Sequence, residues 1–195
     1  MTSEDREPAV QVRLRSVASV DEVYASGGTR PGDRADGGPE TQATVVRAAG
    51  HREVTSPFED YGPVDPRSAL GGIERWAVDA IFAGDEDRYT PVGDVTAKPV
   101  WYGPSRGSMA MSIGIGLLPQ YRGCGIGTQA QLLLARLLHE RGIVRVEAST
   151  DVTNIAEQRA LVKAGFTFEG VARSAQERRD GRHDLQVYSS IRAST

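Results

Sequence analysis

The sequence predicts a mixed α/β domain in which a strand meander gives way to a strand–helix–strand–helix–strand unit. Three observations predict it. Residues 73–118 alternate apolar and polar side chains with the period of two that half-buried strands show. After the loop PQYRGCGIG the period changes, and TQAQLLLARLLHER (128–141) is the strongest helical run of the chain, with Gly142 as its stop. A shorter helix over 155–163 ends at Ala164-Gly165, and strand-like runs flank it on both sides.

The elements are read in order. VQVRLRSV (10–17) alternates as a strand, with Val10, Val12, Leu14 and Val17 toward a core. Ser19 precedes a short helical candidate. Residues 27–40 hold five glycines and two prolines among charges, a composition for a solvated loop or a lid. Residues 41–70 read ambiguously: TQATVVRAA fits strand or helix, SPFEDYGPVDP is turn-rich, and Pro66 is placed to start a short helix. IERWAVDAIF and YTPVGDVTAKPVWY form a predicted hairpin about the turn GDEDR, and MAMSIGIGLL (109–118) is the third meander strand. IVRVEAST (143–150), FTFEGVAR and the stretch after the turn ERRDGRH are the remaining strands.

Composition narrows the function classes. With 195 residues the chain is long enough for one domain with a real core. A formal net charge of −3 argues against a dedicated nucleic-acid binder. No apolar run approaches the ~20 residues of a membrane helix. The first ten residues are charged, without the apolar stretch of a secretory signal. The single cysteine, Cys124, forbids an internal disulfide and fits a cytoplasmic location. Three histidines and one cysteine, well apart, give no metal-ligand spacing.

The stretch Arg122-Gly123-Cys124-Gly125-Ile126-Gly127-Thr128 carries chemistry. Its glycines let backbone N–H groups turn inward at the start of a helix, where unpaired amides and the positive dipole end gather. A pyrophosphate is the natural ligand of such a turn. It is not a P-loop, since no Gly-Lys-Ser/Thr follows, and the strand–helix context lacks the ribose-binding acid of a dinucleotide fold.

Arg122-x-x-Gly125-x-Gly127 after SIGIGLLPQY resembles the acetyl-CoA signature of the GNAT N-acetyltransferase superfamily. Asn154 followed by Lys163-Ala164-Gly165-Phe166 resembles its later segment, and GRHDLQVYS resembles the last turn and strand of the ribosomal-protein-alanine acetyltransferase branch. The likeness covers 73–192 and is faint over 10–72, the variable substrate-binding part of one domain spanning 1–195. It implies a mostly antiparallel central sheet with a splayed strand, flanked by helices. Acetyl-CoA is the implied cosubstrate, direct attack of a primary amine on its thioester the implied reaction, and a homodimer the implied assembly. The implied acyl-donor residues are Ile115, Leu117 and Leu118 on the splayed strand, the loop Arg122, Gly123, Cys124, Gly125, Ile126, Gly127 and Thr128, and Asn154. The Ile115 N–H is the expected oxyanion donor. Asn154 fits equally a helix N-cap, and Gly114 and Gly116 fit a bulged strand.

The proton-transfer residues depart from the family's pattern. Met111 and Ser112 stand where many members carry a glutamate, Leu161 where many carry a tyrosine, and Glu157 where one branch carries a serine. Glu157, His183 and Ser112, the last through water, are the candidate catalytic side chains, with Glu147 and Asp151 also near the cofactor strand. Phe58, Tyr61 and Trp76 are the candidate acceptor-site aromatics. Three functions stay open: acetylation of a small-molecule amine, acetylation of a protein N-terminus, or acyl-CoA binding without catalysis.

Overall fold

The computed structural model describes residues 10–17, 72–82 and 88–193. The expected helix after Ser19, the 27–40 loop, the 41–70 segment with Phe58 and Tyr61, and most of the GDEDR turn lie outside the described residues.

Among the described residues, seven strands form one sheet. β1 (Val10–Ser16), β2 (Glu74–Phe82), β3 (Thr90–Trp101) and β4 (Met109–Leu117) make the meander. β5 (Arg145–Asp151), β6 (Thr167–Arg178) and β7 (Gly181–Ile191) complete the order β1-β2-β3-β4-β5-β7-β6. Only β4 and β5 pair in parallel; the other neighbours are antiparallel. The parallel pair needs a crossover, and α1 (Ile126–Glu140) supplies it.

α1 begins two residues before the run read from the sequence, because Ile126 is its first buried residue. Ile126, Ala130, Leu134 and Leu138 recur every fourth position, with Gln131 and Ala135 beside them. This stripe packs on Trp76, Val78, Val95, Met111, Ile113 and Val146, all in one buried cluster. Each large side chain fully buried there contributes roughly 1.5–3 kcal/mol. Gly142, at φ 93°, ends the helix as the sequence predicts. α2 (Ile155–Lys163) has the predicted bounds and stops before Gly165, at φ 86°. β6 runs past the predicted FTFEGVAR to Arg178, and its bulges at Phe168/Gly170 and Ala172/Gln176 break the alternation that would have marked it.

Candidate active site

The site begins with the hydrogen bonds of β4. On one side β4 pairs with β3 from Trp101↔Met109 to Gly93↔Leu117. On the other it pairs with β5 only at Met111↔Val146, Ser112↔Glu147 and Ile113↔Ala148, then leaves it. The Leu118 N–H donates to the Val92 carbonyl at 2.9 Å. In an antiparallel ladder the bonded positions alternate, so Gly116 and Gly114 also face β3, while Ile115 and Leu117 turn their backbone groups toward the gap. The splay therefore opens an edge one strand wide. Leu118 brings no free group to it: its N–H is bonded to Val92 and its carbonyl accepts from Tyr121 N–H.

A cleft of about 760 Å³ fills this opening, within the range of small-ligand sites. Gly114, Ile115 and Leu117 form one wall, Ser149, Thr150 and Asp151 of β5 face them, and both helices contribute. Gly123 (φ 80°) and Gly125 (φ 84°) take left-handed backbone at the mouth, which L side chains avoid. Gly125 is the N-cap of α1 and makes no side-chain cap hydrogen bond, so the first-turn amides of α1 are left for a ligand. Arg122 lines the mouth and donates Nε to the Leu117 carbonyl at 3.0 Å. Gly127 and Thr128 also line the cleft, whereas the Ile126 side chain is buried in the core and Cys124 lies exposed outside, its Sγ donating to the Tyr121 carbonyl at 3.1 Å.

Glu157 stands one turn into α2 and lines the cleft. Burial pushes its carboxyl up to about 7, against a smaller opposing effect of a Gln131 hydrogen bond. Asn154 lines the cleft and is also the α2 N-cap, accepting from Glu157 N–H at 3.3 Å. The capping role read from the sequence is thus seen directly, at a position that also lines the cleft.

His183 is placed differently. Its Nδ1 lies 2.9 Å from Asp151 Oδ2 and its Nε2 lies 2.8 Å from Asp180 Oδ1, and it does not line the cleft. Asp151 also takes Arg178 at 2.7 Å, with both side chains almost fully buried. Burial alone would raise the Asp151 carboxyl, but hydrogen bonds from Thr153 and the charge of Arg178 outweigh it and hold it below its usual range. Ser112 sits outside the cleft, paired with Lys98 and Glu147. Trp76 is a core residue, 4% exposed beneath α1, because the even positions of β2 point at the helix; it lines no cavity with the cleft residues.

Sequence reasoning passed over Arg159, Lys163, Gln131 and Arg178, which all line the cleft. Arg159 and Lys163 are four residues apart on α2 and share a face. With Arg122 they put cationic groups around a cleft that two carboxylates, Asp151 and Glu157, also line.

Residues 40–167 match the acetyltransferase (GNAT) domain family, about two thirds of the chain. The protein belongs to the GNAT acetyltransferase family. No curated protein matches it. Among solved structures, a RimL ribosomal L7/L12 alpha-N-protein acetyltransferase in complex with coenzyme A is similar, at 24% identity and TM-score 0.50, with 63% of each chain covered. An apo crystal form of RimL aligns at 23% identity and TM-score 0.52, over 65% of this chain and 73% of that one. The aminoglycoside acetyltransferase AAC(6')-Ib in complex with coenzyme A aligns at 19% identity and TM-score 0.49, over 64% and 69%. The chain thus spans 63% of the length of the first of these. Within the described residues, no helix is long and apolar enough to cross a membrane.

Proposed function

We propose that this protein is an acetyl-CoA-dependent N-acetyltransferase acting on a primary amine of a small molecule. The observation that carries the reading is the splay of β4 from β5, which leaves the Ile115 and Leu117 backbone groups facing a cleft that ends at the uncapped amides of α1. The residues fit the nucleotide ester: α1 amides, Arg122, Arg159 and Lys163 for its phosphates, and the free β4 edge for its amide-bearing arm. When bound, the cosubstrate supplies an activated thioester. The Ile115 N–H is the donor for the carbonyl oxygen as charge develops there, a contact worth about 3 kcal/mol in such reactions. Glu157, poised near neutrality, exchanges the proton that an ammonium must lose and a thiolate must gain.

A protein N-terminus as acceptor is the second reading, favoured by the GRHDLQVYS segment that forms β7 from Gly181 to Ser189. Calorimetric titration with coenzyme A, then thiol release from acetyl-CoA with a panel of small amines and N-terminal peptides, tests both. Failure to bind coenzyme A sinks the proposal. Tight binding without thiol release from any acceptor favours the non-catalytic reading.

A further inference from the structure

A second polar system lies beside the splay and takes no part in the cleft. β5 alternates: Val146 and Ala148 join the core under α1, so Glu147 and Ser149 point to the opposite face of the sheet. On β4 the same alternation puts Ser112 and Gly114 on that face. Gly114 and Ser149 line the cleft, and Glu147 is the next side chain along the same face, cross-strand from Ser112 at the closed end of the splay.

Glu147 is 8% exposed. Its Oε2 accepts from Tyr102 OH at 2.6 Å and from Arg145 Nε at 3.1 Å. The remaining Arg145 nitrogens grip Glu169 in a bidentate pair at 2.7 and 2.5 Å, and Ser189 Oγ donates to Glu169 at 2.6 Å. Arg145 thus spends three of its five N–H donors on Oε2 of Glu147 and on Glu169, and none of them reaches the second oxygen of Glu147. Among the described residues Oε1 has no hydrogen-bond partner, yet it is not one of the sealed, unsatisfied atoms, so it remains reachable. One arginine between two carboxylates leaves one negative charge uncompensated. Lys98, exposed on β3, shares this face but stands two strand spacings away, roughly 10 Å. The Glu147 hydrogen bond and burial hold the Tyr102 phenol above its usual range, so it stays a donor and fixes the carboxylate in place.

We propose that Glu147 is the anion that binds the acceptor, through Oε1, by a cationic ammonium group presented on the sheet face opposite α1. The assignment rests on the cleft being the acyl-donor site, and it adds a substrate class: amines that arrive charged. A buried, oriented carboxylate with an unshared oxygen favours an ammonium, with its three donors, over a neutral group of the same shape. Tyr102 and Arg145 are positioning residues that act through Glu147.

The test is calorimetric titration of the protein, with coenzyme A present, using 1,4-diaminobutane, 2-phenylethylamine, a dipeptide amide with a free amino end, and uncharged 2-phenylethanol. Glu147→Gln should weaken at least one ammonium by tenfold or more and leave the alcohol and coenzyme A affinities within twofold. Tyr102→Phe keeps the charge but frees the carboxylate, and should weaken the same ammonium about threefold. If Glu147→Gln does not fold, Tyr102→Phe and Glu147→Asp decide, with Glu147→Asp keeping the preference for ammonium over alcohol. Unchanged ammonium affinity, equal loss for amine and alcohol, or no ammonium binding to the wild-type protein overturns the assignment. Loss of coenzyme A binding by the wild type would instead overturn the donor-site reading, and the amine titrations stand without it.

Discussion

β4 meets β3 along nine consecutive residue pairs and meets β5 along three. One strand thus has a closed seam and an open one. In the closed seam the backbones are in near contact: a Cβ built on Gly93 would lie 2.1 Å from the Gly116 carbonyl oxygen. In the open seam there is room, and a Cβ on Gly127 would meet only the Leu117 and Ile115 side chains, at 3.6 and 3.7 Å. The difference teaches where this sheet keeps its stability and where it keeps its ligand. Ladder bonds and close packing hold the β3 side; on the β5 side the Ile115 and Leu117 backbone groups make no strand ladder, and the Leu117 carbonyl accepts from Arg122 instead.

The largest expected effect therefore belongs to the closed seam. Gly93→Ala forces backbone against backbone, with no flexible side chain to give way, and should cost about 3 kcal/mol by chemical denaturation. A loss below about 1 kcal/mol would show that the seam opens more easily than its geometry implies.

The next effect falls on the open seam. Glu157→Gln should lower kcat about 100-fold, within the usual range for a general acid or base. Its pH dependence checks the cause. The folded-state value near 7 lies above the usual 4.5. The stability this proton contributes is present below about 4.5 and lost as pH rises through 7. Glu157→Gln should therefore gain stability relative to wild type between pH 5 and 8, on the order of 2 kcal/mol. Wild-type kcat, if Glu157 acts as base, rises through pH 7; the variant's profile should be flat there. A wild-type break near 7 that survives in the variant assigns the titration to another group.

Gly125→Ala comes third and contrasts with Gly93→Ala. Nothing lies within 4 Å of the added Cβ, so only the left-handed φ opposes it, at roughly 1–2 kcal/mol. Stability should fall by about 1 kcal/mol while the coenzyme A Kd rises about tenfold. A large stability loss with unchanged affinity would move the loop from ligand binding to scaffold.

The two seams were not equally legible in the sequence. Period-two alternation in 73–118 marks the strands of the closed seam directly, because alternate residues go under α1, although the middles of β2 and β3 are buried on both faces. The glycine loop and the α2 bounds were legible too, since capping and stop residues act locally. The splay was not written in period or composition: the run 109–118 looks the same whether its second edge is paired or free, and only the resemblance pointed to it. Glu147 was placed near the cofactor strand by the sequence, but its setting was hidden for another reason. Its meaning depends on Tyr102 and Arg145, and one of these is 45 residues away in sequence. Arg159 carried no signal in the sequence and Lys163 only its place in the segment before Gly165-Phe166; both become candidate ligand contacts only because α2 stands beside the cleft. His183 shows the converse: an isolated turn histidine in sequence, it is held between two carboxylates in the fold.

The smallest expected effect compares the two helix N-termini that face the open seam. α1 begins at Gly125 without a side-chain cap, whereas α2 begins at Asn154, whose side chain accepts from Glu157 N–H. One terminus leaves its amides for a ligand; the other satisfies one of them internally and so fixes the first turn that carries Glu157. Asn154→Ala should cost about 1 kcal/mol of stability, the ordinary value of a lost cap. If capping is its whole role, coenzyme A affinity stays within threefold, because the amides proposed to hold the phosphates belong to α1. A larger loss of affinity at the same stability cost would make Asn154 a direct contact of the ligand, and α2 would then bind the donor as well as place the proton-exchanging carboxylate.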